Sequence, residues 1–184
     1  MSGKLKSVAV YCGHQMGNNP AYARDAAKIG EMLAKNGIKL VFGGGDVGLM
    51  GTVSTAALNN GGHVTGISTH DVMAKQEPMH ANLQCFEVVG GVNERKQRMF
   101  ELSDAFIILP GGTGTLNELT DIMTMQQIGE TKKPVFFMNT DYFWAPFGRL
   151  IVHMKKTGFF VRPQDYNLHT ANTPEELMKK VLNY

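Results

Sequence analysis

The sequence predicts an α/β fold in which a parallel β-sheet is covered by helices on both faces. Short apolar runs bounded by glycine or proline alternate with longer stretches of helical periodicity, which is the order of repeated β-α-β units. The apolar runs are continuous, as in strands that are buried on both faces. The length of 184 residues suits one well-buried core, so we expect residues 1–184 to form a single, doubly wound, Rossmann-like domain.

Six apolar runs are the candidate strands, at residues 7–12, 38–42, 63–67, 83–89, 105–109 and 134–138. Helices are predicted at residues 21–35, 47–59, 92–102, 115–128 and 147–156. A final helix is predicted to run to about Leu182, because Thr173-Pro174-Glu175-Glu176 has the form of a helix cap. Ligands of such sheets bind beyond the carboxyl ends of the strands. The site is therefore expected in three loops there, at residues 13–20, 43–51 and 110–115.

The composition argues against several classes of protein. Eighteen Lys and Arg residues against sixteen Asp and Glu give a net charge of +2, and no basic run could follow a nucleic-acid backbone. There is neither a signal peptide nor a run of about 18 apolar residues, so we expect a cytoplasmic protein with no membrane partner. Cys12 and Cys85 form no CxxC pair and the histidines lack metal-ligand spacing, so we expect neither a disulfide framework nor a metal site.

The stretch Gly43-Gly44-Gly45-Asp46-Val47-Gly48 matches the GxGxxG pattern of dinucleotide sites. However, it follows the second predicted strand, and no acidic residue ends the next strand at the usual distance. A glycine-lined approach for one phosphate, with Gly44, Gly45 and Gly48 as contacts, is the more economical interpretation, although a tight turn would use the same glycines. The GxxxxGK[ST] motif of nucleoside-triphosphate sites does not occur in the sequence.

Arg95 and Lys96 are predicted to face the protein body. At about 3.6 residues per turn, both fall on the apolar face of the helix at residues 92–102, together with Val92 and Met99. Two cations in that position cost desolvation free energy unless an anion or a carboxylate meets them. Either they face a ligand, or their long stems pass the core and carry the charges to solvent.

Residues 110–115 form a glycine-rich turn before the helix that carries Glu118. A helix start of this kind exposes unpaired backbone N–H groups and the positive end of the helix dipole, and so attracts an anion. Glu118 lies near Ile122 and Met125 on a partly apolar face. Apolar neighbours raise the pKa of a carboxyl group and a nearby Arg95 lowers it, which suits a general base or an electrostatic stabiliser. A first-turn Glu that stabilises the helix dipole explains the residue equally well.

Three motifs together resemble the Lonely Guy family of phosphoribohydrolases, which release the base from adenosine 5'-monophosphate and, in many members, from cytokinin riboside 5'-monophosphates. The motifs are Gly43-Gly44-Gly45-x-x-Gly48-Leu49-Met50-Gly51, Glu94-Arg95-Lys96 and Pro110-Gly111-Gly112-x-Gly114-Thr115-x-x-Glu118, and the likeness spans roughly residues 8–158. It implies a nucleoside monophosphate substrate, a homodimer and a catalytic pair of Arg95 and Glu118. The substrate-binding positions that it implies are Glu77, Lys96, Gly112, Thr113, Gly114, Thr115 and Thr124.

In this interpretation the loop N–H groups hold the 5'-phosphate, Glu118 faces the sugar and Arg95 positions Glu118. Asp121 is a candidate second carboxylate, although a solvated position on the helix is the simpler explanation. The superfamily often carries the label "lysine decarboxylase", but no lysine is placed persuasively for a Schiff base with pyridoxal phosphate, and no cofactor is expected.

The sequence departs from the family pattern in ways that concern the choice of base. Cys12-Gly13-His14-Gln15 stands where many members have Gly-Ser-Ser, Val92-Asn93 where many have Met-His, Thr113 in place of a frequent Tyr, and Asn117 in place of a frequent Glu. Two other classes stay open. A related group resembles carriers of molybdenum cofactor, and a nicotinamide-dependent oxidoreductase would bind NAD tightly.

Overall fold

The computed structural model describes residues 4–74, 83–160 and 162–184. Its strands are β1 (Ser7–Tyr11), β2 (Lys39–Phe42), β3 (Val64–Thr69), β4 (Cys85–Val89), β5 (Ala105–Ile108), β6 (Val135–Met138) and β7 (Leu168–Ala171). They form one sheet in the order β4-β3-β2-β1-β5-β6-β7, and every neighbouring pair is parallel. The predicted doubly wound α/β fold is confirmed.

The helices are α1 (Pro20–Lys35), α2 (Gly48–Asn59), α3 (His70–Met73), α4 (Val92–Glu101), α5 (Thr113–Gln127), α6 (Ala145–Lys156) and α7 (Pro174–Leu182). Short 3-10 turns lie at Thr140–Tyr142 and Pro163–Asp165. All predicted strands and helices are present with ends shifted by at most two residues, whereas β7 and α3 were not predicted. In the described ranges, no helix combines the length and the apolar character that crossing a bilayer requires.

Side chains alternate between the two faces of the sheet along each strand. In β1, Val8 and Val10 point to one face, where α1, α2 and α7 supply Ile29, Leu49 and Leu177 to the packing. Ala9 and Tyr11 point to the other face, which is packed by Met99 of α4 and by Leu119 and Ile122 of α5. Burial on both sides accounts for the continuous apolar strands, because each inward residue meets a layer of helices.

The order in which successive strands are added to the sheet reverses between β1 and β5, although the two strands are parallel. The chain runs outward from β1 through β2 and β3 to β4, and then returns to β5 beside β1. Loops that leave neighbouring strands in opposite directions open a crevice at their carboxyl ends. There the N–H of Gly13 donates to the carbonyl of Pro110 at 3.0 Å, and the carbonyl of Gly13 accepts from the N–H of Leu49 at 3.1 Å. The three predicted loops therefore converge at this point.

Candidate active site

A cavity of about 260 Å³ occupies the crevice between the ends of β1 and β2 and the start of α5. Helix α4 contributes Arg95 to the lining, and α3 contributes the apolar Val72. Six predicted site residues line the cavity: Arg95, Gly112, Thr113, Gly114, Thr115 and Glu118. The helix start that was predicted to bind an anion and the predicted catalytic pair thus belong to one concave surface.

The start of α5 faces this cavity with its backbone uncovered. Gly112 is the N-cap, no side chain caps the helix, and the first turn contains no acidic residue. A β-carbon placed on Gly112 or Gly114 would meet nothing within 4 Å. The first N–H groups of a helix have no partner within the helix and lie at the positive end of its dipole. An anion such as a phosphate therefore has both a binding partner and the space to reach it.

Arg95 is held in place by backbone carbonyl groups rather than by solvent. Its side chain is only 11% exposed. Nε donates to the carbonyl of Ile67 at 2.8 Å, and Nη2 donates to the carbonyl of Gly43 at 3.1 Å. The remaining nitrogen, Nη1, lies 3.5 Å from Oε1 of Glu118. The prediction that Arg95 faces inward is confirmed, and its guanidinium is oriented before any ligand arrives.

Glu118 is a nearly buried carboxyl group, with 12% of its side chain exposed. Burial raises its pKa from the usual 4.5 to about 7, while Arg95 and Lys96 lower the pKa and Asp121 raises it further. Both protonation states are therefore populated near neutral pH, as proton transfer requires. Because α5 starts two residues earlier than predicted, Glu118 lies beyond the first turn. The alternative of a first-turn Glu that only stabilises the helix dipole is wrong.

Tyr11, the last residue of β1, and Cys12, which follows it, also line the cavity. Burial raises the pKa of the Tyr11 phenol and of the Cys12 thiol, so both groups are neutral at physiological pH. The Tyr11 ring is stacked on Phe106 with centroids 5.9 Å apart. Neither residue was predicted in the site, although both end the strand at which the chain direction reverses. Cys12 is a free, buried thiol.

Lys96 lies outside the cavity. Its Nζ is 2.5 Å from Oδ2 of Asp121 and 2.9 Å from Oδ1 of Asn117. These contacts border a second cavity of about 170 Å³ between α4 and α5, on the opposite side of Glu118. Tyr11 and Glu118 line both cavities. The charge of Lys96 is thus satisfied by the neighbouring helix.

The other predicted binding residues do not line the 260 Å³ cavity, and their roles stay predictions. Gly44 packs against the ring of Phe86, Gly45 is buried, and Gly48 begins α2 against the backbone of His14. Thr124 is exposed on α5 and donates to the carbonyl of Thr120. Glu77 lies outside the described residues.

The described part of the chain offers no group of three or more His, Cys, Asp or Glu side chains that could hold a metal ion. His14 is the histidine that lines the cavity, and Glu118 is its carboxylate. The lining within the described ranges also includes no lysine that could form a Schiff base with a cofactor aldehyde. The charged side chains of the catalytic pair, a carboxylate and a guanidinium, thus share this lining with the backbone N–H groups at the start of α5.

Comparison with known proteins identifies the family. The profile of the family described as "Possible lysine decarboxylase" matches residues 50–181. A protein from Oryza sativa subsp. japonica named cytokinin riboside 5'-monophosphate phosphoribohydrolase LOG is 38% identical over 184 residues, covering 98% of this chain and 74% of that one. The chain belongs to the Lonely Guy family. Another Lonely Guy relative, the cytokinin riboside 5'-monophosphate phosphoribohydrolase of Rhodococcoides fascians, is 39% identical over 154 residues, 84% of this chain and 78% of that one.

A solved structure with the same fold is the molybdenum cofactor binding protein from Rippkaea orientalis. The TM-score is 0.70 at 22% identity, over 98% of this chain and 97% of that one. At this identity the likeness concerns the fold alone. The resemblance to the Lonely Guy family that the three motifs predicted is confirmed, and the matched region contains Arg95 and Glu118.

Proposed function

We propose that this protein is a nucleoside 5'-monophosphate phosphoribohydrolase, which cleaves the N-glycosidic bond of adenosine 5'-monophosphate, cytokinin riboside 5'-monophosphates, or both. The products are the free base and ribose 5-phosphate. The observation that carries the proposal is the contact of Arg95 with Glu118, 3.5 Å apart, in a cavity that also contains the open start of α5. The names of the rice and Rhodococcoides fascians relatives support the same reaction.

Two parts of a nucleotide, the 5'-phosphate and the sugar, can be assigned to groups that line the cavity. The uncovered N–H groups after Gly112 suit the 5'-phosphate, because they combine hydrogen-bond donors with a positive dipole end. Glu118 follows on the same helix and faces the cavity, where it can reach the sugar of a nucleotide bound in this way. A carboxylate at that point stabilises the positive charge that develops on the ribose ring, and it does so more in the transition state than in the ground state.

The reaction consumes one water molecule. The water oxygen bonds to C1' while the bond between C1' and the base nitrogen breaks, and the electron pair of that bond passes to the base. Glu118 accepts one proton of the water, and this proton is then passed to the departing base; the other hydrogen remains in the new hydroxyl group on C1'. A carboxyl group with a pKa of about 7 can take up and release this proton at neutral pH.

Arg95 has a different role, because a guanidinium with a pKa above about 12 is a poor proton donor. Its hydrogen bonds to the carbonyls of Ile67 and Gly43 fix its plane. The guanidinium then holds Glu118 in position and offers its remaining N–H groups to sugar or phosphate oxygens. We expect its removal to impair both substrate binding and turnover.

Chromatography of the products from a panel of nucleoside monophosphates tests the proposal. Free adenine and ribose 5-phosphate are expected from adenosine 5'-monophosphate, and Glu118→Gln or Arg95→Ala should lower turnover by on the order of a hundredfold or more. Glu130→Gln and Arg149→Ala are matched controls, because both residues are exposed and away from the cavity. Unchanged kcat/KM in both site variants would contradict the assignment of Arg95 and Glu118 as the catalytic pair.

The same samples discriminate the alternative classes. A carrier of molybdenum cofactor would bind a phosphorylated pterin and leave every nucleoside monophosphate intact. An oxidoreductase would bind NAD tightly, which a fluorescence titration detects. Either result would overturn the proposed reaction.

The family resemblance also implies a homodimer, and we expect the nucleotide site to lie near the contact between subunits. Light scattering after size-exclusion chromatography measures the mass in solution. A mass equal to that of one chain would contradict the dimer and would leave the proposed reaction unaffected. A cytoplasmic location likewise stays a prediction, which imaging of a fluorescent fusion would test.

A further inference from the structure

A salt bridge links the two helices that carry the proposed catalytic pair. Lys96 follows Arg95 on α4, and Asp121 lies one turn after Glu118 on α5. The Nζ of Lys96 is 2.5 Å from Oδ2 of Asp121, and Asn117 accepts a second hydrogen bond from the same nitrogen. The bridge therefore runs beside the contact of Arg95 with Glu118 and connects the same two helices.

The position of the bridge differs from that of a surface ion pair. The Lys96 side chain is only 15% exposed, whereas Asp121 is 45% exposed. Both residues line the 170 Å³ cavity behind Glu118. A largely buried lysine that is fixed by two partners has lost the freedom that makes most surface pairs weak. Its charge is then held at a constant position relative to the carboxyl group of Glu118.

The charged and titratable groups around Glu118 come from three elements. Helix α4 supplies Arg95 and Lys96, and α5 supplies Asp121. The end of β1 and its loop supply Tyr11, Cys12 and His14. Lys96 favours the ionised carboxylate and Asp121 disfavours it. Because these opposite charges are joined in one bridge, their effects on Glu118 largely cancel while the bridge is intact.

We propose that Lys96 and Asp121 are a pair of positioning residues, which holds α4 against α5 so that Arg95 meets Glu118 and which balances the charge around that carboxylate. This role differs from the direct contact with substrate that the family resemblance implies for Lys96. The inference rests on the proposed function only in taking Glu118 as the catalytic group. Asn117, the second partner of Lys96, is a neutral amide, so Asp121 is the single carboxylate in the bridge.

Titration of the Glu118 carboxyl group by NMR tests the balance of charge without any substrate. Protein is labelled with 13C at the glutamate carboxyl groups, and Glu118→Gln identifies the signal. Lys96→Met should raise the midpoint of the titration and Asp121→Asn should lower it, each by about 0.3 to 1 pH unit. A residue that only supports the fold would not move the midpoint in opposite directions with the two variants. Shifts of the same sign, or none, overturn the balance.

The double variant Lys96→Met with Asp121→Asn separates positioning from charge. Both charges are then absent, so the midpoint should return to within about 0.3 unit of the wild-type value. Since the bridge no longer holds α4 against α5 beside the catalytic pair, kcat should still fall several-fold, on the order of five or more. Full kcat in the double variant would overturn the positioning role.

The remote pair of Glu31 and Lys35 on α1 supplies matched controls. Glu31→Gln and Lys35→Met remove the same kinds of charge and should change neither the midpoint nor kcat; a change as large as that in the site variants would overturn the local origin of the effect. An inactive wild-type protein with opposite NMR shifts would overturn the proposed reaction and still support the balance of charge.

Discussion

The guanidinium of Arg95 lies directly against the backbone of Gly43, whose carbonyl accepts a hydrogen bond from Nη2 at 3.1 Å. A β-carbon at position 43 would collide with that same nitrogen. The absence of a side chain at Gly43, the first glycine of the Gly43-Gly44-Gly45 run, thus allows Arg95 of α4 to approach. This role differs from contact with a phosphate.

Gly43→Ala should therefore displace Arg95 from Glu118. We expect kcat/KM to fall by on the order of tenfold or more, because small displacements of a positioning group are costly to catalysis. Steady-state kinetics on adenosine 5'-monophosphate measure the effect. Gly148→Ala is the control, since a β-carbon there meets nothing within 4 Å. Wild-type kinetics in Gly43→Ala would show that Arg95 can move without loss.

The raised pKa of Glu118 predicts the pH dependence of the reaction. If the carboxylate is the active form, kcat/KM should rise with pH, reach half of its maximum at about 7 and level off above that value. The 5'-phosphate of the substrate also titrates, with a second pKa near about 6. The residual activity of Glu118→Gln in the same buffers isolates that contribution. A profile that falls through neutral pH would assign the active role to the protonated carboxyl group.

The same pKa predicts an effect on stability. In the folded protein Glu118 holds its proton up to about pH 7, whereas the ordinary pKa is 4.5. Between these values Glu118 holds more of its proton in the native state than in the unfolded state, so its contribution to the free energy of unfolding decreases as the pH rises from 4.5 to about 7 and is constant above that pH.

Glu118→Gln removes this penalty, and we expect the variant to be more stable than the wild-type protein above neutral pH. The gain is on the order of 1 to 3 kcal/mol. Urea unfolding at pH 5 and pH 8 measures it. The difference between the two proteins should grow from the lower to the higher pH. A difference that is equal at both values would attribute the change to packing instead of ionisation.

A carboxylate introduced at the start of α5 should separate ligand binding from stability. Thr113 is exposed, lines the cavity and lies in the first turn of the helix. In Thr113→Glu the new charge repels a bound phosphate, so KM should rise by on the order of tenfold, while the favourable interaction with the helix dipole keeps the melting temperature equal or higher. Thr113→Gln is the neutral control. An unchanged KM would contradict binding of the phosphate at the start of α5.

The sequence was sufficient for the elements that are buried on both sides, because their apolar runs are continuous. The edge strand β7 was missed, since its four residues include the polar His169 and Thr170. Its place in the sheet depends on a contact that local sequence does not encode, such as the stacking of His169 on Phe136 with centroids 5.0 Å apart. The four residues of α3 are too few for a helical period to be recognised.

Arg95 and Glu118 could be predicted because each lies in a motif and on an apolar helix face. The partner of Lys96 could not be predicted in the same way. Whether its ammonium group meets a ligand or Asp121 depends on how α5 is placed beside α4. Tyr11 lies in none of the three motifs and was not predicted. Its phenol reaches both cavities only because β1 pairs with β5 and so borders the returning half of the chain.

The pairing of β1 with β5 also bears on when the site forms during folding. Asp104, just before β5, accepts hydrogen bonds from the N–H groups of Lys6 and Ser7, which are 98 and 97 positions away along the chain. Closing so long a loop is a slow, entropically demanding step. The β-α-β units on either side can assemble from nearer contacts, so recovery of hydrolysis after dilution from denaturant should lag behind recovery of helical circular dichroism.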